Sequence, residues 1–216
     1  MVFWTYENDL FQVGIWKLEE TLEGLCLMSS RGELLREESS GRFKSIHRQL
    51  EWVAVRVLAE QMMRHFPTIN YLPTGKPVVK NGHISVSHTK GYVALVWSKN
   101  NEVGIDIERI SPRINQLKSR IISQQEKADS TLDVLLHWCA KETVYKILDE
   151  EKAQMLQDFI VTPFVRADQG VFSVQEHTTR QQTTFQIHYR LFEDFALTYC
   201  VHQANHISES IHISKP

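Results

Sequence analysis

The chain has 216 residues, with 24 lysines and arginines against 26 aspartates and glutamates, ten histidines and a formal net charge of −2. That length is ample to bury a core, as one large domain or as two fused small ones. The balanced charge gives no whole-chain electrostatic basis for binding nucleic acid or a membrane surface, and no segment is long and apolar enough to be expected to span a bilayer. In chain order, Met1-Val2-Phe3-Trp4-Thr5-Tyr6-Glu7 lacks the basic flank and long apolar run of a leader peptide, so a cytoplasmic protein is the expectation. Ser29 to Gly41 is polar and reads as a linker. A helix is expected around Ser45 to Arg64, a turn at Thr74-Gly75-Lys76-Pro77, and strands near His83 to Ser87 and Tyr92 to Trp97. The turn-like Lys99-Asn100-Asn101-Glu102 then leads into an alternating strand from Val103 to Glu108. A helix follows around Leu132 to Leu148, and strand-like runs cover Val171 to Val174, Thr184 to Tyr189 and Phe195 to Val201. The tail after Ala204, with His206 and His212, reads as a loose end. Cys26, Cys139 and Cys200 have no metal-ligand spacing, and their odd number argues against a disulfide framework.

The chemistry concentrates in Gly104-Ile105-Asp106-Ile107-Glu108 and in Trp138-Cys139-Ala140-Lys141-Glu142, closed by Lys146. Side chains alternate across a strand, so Val103, Ile105 and Ile107 enter the core while Asp106 and Glu108 share the opposite face. Two adjacent carboxylates repel unless they share a proton or meet a basic group or a cation. Mg²⁺ suits such a pair because it prefers oxygen ligands and keeps positions for water and phosphate. On the helix, Leu132, Leu135, Leu136, Cys139, Thr143 and Ile147 form an apolar stripe, and Trp138, Glu142 and Lys146 fall on the adjoining face. Residues four apart stand one above the other, so Glu142 and Lys146 are placed to reach one ligand. Each motif alone also suits a plainer role: a solvated strand face for Asp106 and Glu108, or a surface ion pair worth about 0.3–0.5 kcal/mol for Glu142 and Lys146.

Taken in order, the two motifs resemble the signatures of the 4′-phosphopantetheinyl transferase superfamily, a Gly-x-Asp-x-Glu strand followed by a Trp-x-x-Lys-Glu helix with a lysine four residues further on. The likeness extends to Thr74-Gly75-Lys76-Pro77, to Ile84-Ser85-Val86-Ser87-His88, to His47-Arg48-Gln49-Leu50 and to Arg120-Ile121-Ile122-Ser123-Gln124-Gln125-Glu126, all similar to elements of the surfactin-synthetase-activating type. Departures are Ser85 where many relatives carry asparagine, Ile121-Ile122 in place of a more aromatic pair, and the absence of a glycine soon after Lys146.

The resemblance implies a mixed α/β (α+β) fold of two similar halves with pseudo-twofold symmetry, residues 1–102 and 103–216. It implies transfer of the phosphopantetheine arm of coenzyme A to a serine of an apo acyl or peptidyl carrier protein, with release of adenosine 3′,5′-bisphosphate. Mg²⁺, or Mn²⁺ in its place, is then held by Asp106, Glu108 and Glu142. Lys146 meets the phosphate, and Glu142, directly or through a metal-bound water, or alternatively Glu126, acts as general base. The matching coenzyme contacts are Arg48, Ser87 and His88 for the 3′-phosphate, Lys76 beside the adenine, and Arg36 as a further phosphate contact. The carrier is expected near Ile114 to Glu126, where Lys118 and Arg120 face either an acidic carrier helix or plain solvent. A monomer is expected, with roles in lipid, polyketide or peptide biosynthesis. A non-catalytic coenzyme A or carrier-binding protein and a Mg²⁺-dependent pyrophosphate hydrolase remain as alternatives.

Overall fold

Two antiparallel sheets face one another, and each carries an 18-residue helix on its outer side. The structure, a computed structural model, describes residues 1–149 and 153–203. The expected loose tail, with His206 and His212, therefore lies outside the described residues. In chain order the elements are β1 (Val2–Glu7), β2 (Gln12–Lys17), α1 (Leu22–Leu27), α2 (Gly32–Arg42), α3 (Ile46–Met63), β3 (Asn70–Tyr71), β4 (Pro77–Val78), β5 (His83–Thr89), β6 (Tyr92–Ser98) and β7 (Glu102–Arg109). After a 3₁₀ turn at Pro112–Leu117 come α4 (Lys118–Ile121), α5 (Thr131–Leu148), β8 (Phe159–Val161), β9 (Gln169–Glu176), β10 (Thr184–Leu191) and β11 (Phe195–His202). The first sheet runs β1-β2-β6-β5 and the second β7-β11-β10-β9-β8, while β3 and β4 form a separate ribbon. The fold is a mixed α/β arrangement, as the sequence implied.

The two sheets share one construction. In the first, β2 leads through α3 to the β5–β6 hairpin, and β6 returns to pair with β2. In the second, β7 leads through α5 to β10 and β11, and β11 returns to pair with β7. The inner faces meet in one apolar layer, where Val13, Ile15, Ala94 and Val96 pack against Val103, Ile105, Ile107 and Leu197. The helices close the outer faces. Leu58 and Val57 of α3 pack with Val93 and Leu95, and Leu136, Cys139 and Ala140 of α5 pack with Val174 and Ile187. Alternation every second residue drives this placement, because it sends one face of each strand to the shared layer and the other to its helix.

The expected strands and both long helices are present, each within a few residues of its expected bounds. The polar stretch Ser29 to Gly41 is not a linker. Most of it is helix α2, which buries Leu35 and Ser39 against α1 and α3, while Glu60 of α3 accepts from Ser29 Oγ at 2.6 Å and from the Ser30 N–H at 3.1 Å. A short helix needs only two inward positions when two other helices already flank it, so its composition stays polar. Ile114 to Glu126 likewise departs from a simple solvated helix: it combines the 3₁₀ turn, the single turn of α4 and an extended segment. Lys118 there donates to the Ala128 carbonyl at 2.7 Å, whereas Arg120 is exposed.

Candidate active site

The site forms where α5 lies across β7, and Gly104 permits the approach. A Cβ at Gly104 would stand 2.2 Å from the Thr143 carbonyl oxygen and 2.8 Å from Ile147 Cγ1, so any side chain would hold the helix away from the strand. Helix α5 starts from a capping box in which Ser130 and Asp133 bond reciprocally. Its last turn carries Lys146, whose charge suits the helix C-terminus.

This close packing brings Asp106, Glu108, Glu142 and Lys146 together. Asp106 is 4% exposed. Its Oδ1 accepts from Lys146 Nζ and from Ser87 Oγ, both at 2.8 Å. Its Oδ2 is buried without a hydrogen-bond partner. Burial raises the Glu142 carboxyl to about 7, with the Asp106 and Glu108 charges adding to the effect and Lys146 opposing it. Glu108 is also raised, by burial and by Asp106, against the pull of Lys146, Thr89 and Trp138. Cys139 lies behind the acidic strand, fully buried, and burial with the Asp106 and Glu108 charges pushes its thiol well above the ordinary range. It is a packing group, not a nucleophile.

The donor set fits a hard divalent cation. Burial and the Asp106 charge push the Glu108 and Glu142 carboxyls upward, and one buried oxygen of Asp106 is left without a partner, which is costly unless something positive meets it. Among the described residues no three His, Cys, Asp or Glu side chains already stand grouped as a coordination shell. Glu126, the alternative base, is occupied elsewhere. Its Oε2 accepts from Lys141 Nζ and from the Ser123 N–H, both at 2.8 Å, and its Oε1 from the Val161 N–H, also at 2.8 Å. The Glu126 and Lys141 side chains are both wholly buried. Lys141 also donates to the Ile121 carbonyl at 2.6 Å, and its burial lowers its pKa while Glu126 opposes the shift. The lysine of the Trp-x-x-Lys-Glu run thus ties α5 to the segment beneath it.

A cavity of about 320 Å³ opens beside this cluster, between α3, the β3–β4 ribbon and β5. Arg42, Arg48, Trp52, Arg56, Tyr71 and His88 line it. Arg48 Nη1 stands 3.3 Å from His88 Nε2. Glu51, buried at 7% exposure, lies 3.0 Å from His47 Nε2 and 3.5 Å from both Arg48 Nη1 and His88 Nδ1. Arg56 is 5% exposed and rests over the Trp52 ring at 3.3 Å, donating to the Trp52 carbonyl at 3.0 Å. Burial lowers its pKa, and the largest opposing influence is Tyr71. A guanidinium so buried gains from an anion in the cavity.

The structure brings together Asp106, Glu108, Glu142 and Lys146, and separately Arg48 and His88. Lys76 reaches the other side of a smaller recess of about 160 Å³, shared with Tyr145 and Lys146. Its Nζ donates to the Ile147 carbonyl at 2.7 Å, and Thr74 Oγ1 donates to Asp149 Oδ2 at 3.0 Å, so the Gly-Lys-Pro turn grips the end of α5. Ser87 points to Asp106. Arg36 stands apart, exposed in a different recess against α1. Arg42, nearly two helical turns further along α2, is the α2 arginine that lines the cavity beside His88. The sequence pattern left Arg42 and Arg56 unmarked, although Arg48, Trp52 and Arg56 recur every fourth position, the spacing of one helix face.

Among the described residues no helix is long and apolar enough to cross a membrane. Residues 102–200 match the family model described as 4′-phosphopantetheinyl transferase superfamily. The chain is 36% identical over 87 residues to 4′-phosphopantetheinyl transferase AcpT of Salmonella typhi, covering 38% of this chain and 45% of that protein. It is 32% identical over 112 residues to 4′-phosphopantetheinyl transferase AcpT of Escherichia coli K12, covering 46% of this chain and 57% of that protein. The chain thus spans about half the length of the curated relatives it matches. The matched stretch contains β7 and α5 with all four clustered residues, so the likeness to the 4′-phosphopantetheinyl transferase superfamily falls on the part of the chain that carries the acidic cluster.

Proposed function

We propose that this protein transfers the 4′-phosphopantetheine arm of coenzyme A to a serine hydroxyl of an apo acyl or peptidyl carrier protein, releasing adenosine 3′,5′-bisphosphate. The observation that carries the reading is the junction itself: a cluster of three carboxylates and a lysine with one buried, unpartnered carboxylate oxygen, next to an arginine-lined cavity. The curated relatives carry the name of that activity. Coenzyme A carries two anionic groups, a pyrophosphate and a 3′-phosphate, and the pairing of a metal-binding carboxylate cluster with an arginine-lined cavity suits both.

Asp106, Glu108 and Glu142 would hold Mg²⁺, or Mn²⁺ in its place. The bound ion would neutralise pyrophosphate charge and ease departure of the leaving phosphate. Arg48, Arg56 and His88 would receive the 3′-phosphate, with Trp52 and Tyr71 walling the adenosine. The carrier serine oxygen bonds to the phosphorus that bears the pantetheine as the bond to the bridging oxygen breaks. The serine proton passes to the Glu142 carboxylate. Lys146 faces the charge that develops on the phosphates.

The likeness to the surfactin-synthetase-activating type extends this reading to two repeat halves, 1–102 and 103–216, supported by the shared strand–helix–hairpin construction of the two sheets. Both halves contribute to the site within one chain, which favours a monomer. Three buried free thiols suit a reducing, cytoplasmic setting. The test is intact mass of several apo carrier proteins incubated with the protein, coenzyme A and Mg²⁺, with chelator and Asp106→Ala controls. A phosphopantetheine adduct that needs metal and Asp106 supports the reading. Coenzyme A binding without any adduct would favour a binding protein, and carrier-independent cleavage would favour a pyrophosphate hydrolase.

A further inference from the structure

Strand β5 alternates between two tasks. Val86 and His88 line the arginine-rich cavity, while Ser85, Ser87 and Thr89 turn toward β7. Strand β7 is the edge of its sheet, and the hydroxyls of β5 stand where a backbone ladder would otherwise continue. Ser85 Oγ accepts from the Ile105 N–H at 3.2 Å, and Thr89 Oγ1 accepts from the Arg109 N–H at 3.3 Å. Between them Ser87 Oγ makes the short bond to Asp106 Oδ1, and Thr89 Oγ1 lies 3.5 Å from Glu108 Oε2. With Ser87 and Lys146 both on Oδ1, the Asp106 carboxylate is fixed in rotation, and its Oδ2 is presented in one direction without a partner.

We propose that Ser87, with Thr89 as its weaker counterpart at Glu108, is a positioning residue that orients the acidic pair toward a divalent cation. Its hydroxyl is engaged by Asp106, a role separate from the phosphate contact that the family resemblance implies. A carboxylate free to rotate would lose part of its affinity for a metal, and loss of an outer hydrogen bond of this kind typically weakens metal binding by about 10–100-fold. The same strand thereby connects the coenzyme cavity, through His88, to the carboxylates, through Ser87. This assignment rests on the transferase reading for the identity of the coenzyme, but not for the metal contact.

The test is Mn²⁺ affinity of the full chain, read by electron paramagnetic resonance in the presence of coenzyme A, alongside KM for coenzyme A. Ser87→Ala, and Ser87→Cys as the volume-preserving variant, are expected to weaken Mn²⁺ binding about ten-fold or more with KM for coenzyme A unchanged. Ser87→Thr, which keeps the hydroxyl, restores it. Ser85→Ala, which removes a main-chain bond at the same junction, lowers the melting temperature without weakening Mn²⁺. A rise in KM with unchanged Mn²⁺ affinity would overturn the proposal, as would equal effects of the Ser85 and Ser87 variants or a wild-type protein that binds no Mn²⁺. Wild-type protein that binds Mn²⁺ more tightly than Ser87→Ala yet modifies no carrier would uphold the positioning role and defeat the transferase reading.

Discussion

Lys146 Nζ lies 2.8 Å from Asp106 Oδ1, which pins the last turn of α5 to the middle of β7. The same ammonium opposes the upward shifts of Glu108 and Glu142. Lys146→Met should therefore leave Asp106 buried beside two carboxyls already pushed upward. The Lys146 side chain is 26% exposed, so the loss is smaller than for a fully buried pair, about 2 kcal/mol. Transfer should fall by about 10²-fold or more, because the positive charge facing the phosphates is gone. Thermal unfolding and turnover measured on the same preparation check both numbers, and Lys146→Met with wild-type turnover would refute the role.

Gly104→Ala tests whether the helix–strand approach creates the site. The new Cβ would meet a carbonyl oxygen of α5, and backbone cannot swing aside as a flexible side chain can. A cost of about 1–3 kcal/mol is expected, together with loss of transfer even at temperatures where the variant is folded. Circular dichroism and carrier modification separate the two effects.

The raised Glu142 carboxyl gives a pH signature in metal-free protein. Its folded pKa of about 7 lies above the ordinary 4.5, so its contribution to stability is complete below about 4.5 and is lost as pH rises through about 7. Glu142→Gln removes that loss. The melting-temperature difference, variant minus wild type, should grow from pH 5 to pH 8 and shrink again when Mg²⁺ is added to the wild type. A difference independent of pH would contradict the burial argument. At the acid end the sign reverses for Asp133, which Ser130 and Arg166 hold below its ordinary value against burial. Its stabilisation is lost as pH falls.

Glu126 and Lys141 should behave as a structural pair. Glu126→Ala strands a buried ammonium, and a loss of about 3–5 kcal/mol is expected. Turnover of whatever fraction remains folded should keep the pH profile of the wild type. A shifted profile would instead return Glu126 to the list of candidate bases.

On the coenzyme side, Arg56→Met should raise KM for coenzyme A about ten-fold or more, whereas Arg36→Met should leave it unchanged. Steady-state kinetics with coenzyme A varied discriminates the two arginines directly.

The acidic strand and the α5 helix were legible because period-two and period-3.6 patterns fix which side chains share a face, and the structure keeps Asp106 with Glu108 and Glu142 with Lys146 on those faces. Burial was not legible from the same patterns. The face of β7 opposite the apolar layer looks solvent-suited in sequence, yet α5 covers it, and the signal for that cover was Gly104, which leaves room for the helix. Helix α2 was hidden because its neighbours supply most of its packing, so its own apolar periodicity is slight. Lys141 is charged in sequence and wholly buried in the fold, an outcome that depends on Glu126 arriving from 15 residues away. The hydroxyls of β5 could be read only as a loose Ser-x-Ser-x-Thr alternation until β7 stood beside them.

The most direct test of the account is the stoichiometry of adenosine 3′,5′-bisphosphate released from coenzyme A, with and without an apo carrier protein that serves as acceptor. The account predicts release only when carrier and divalent metal are both present, one nucleotide per carrier modified, and none with Glu142→Gln. Release without carrier, or full release by the Glu142 variant, would contradict it.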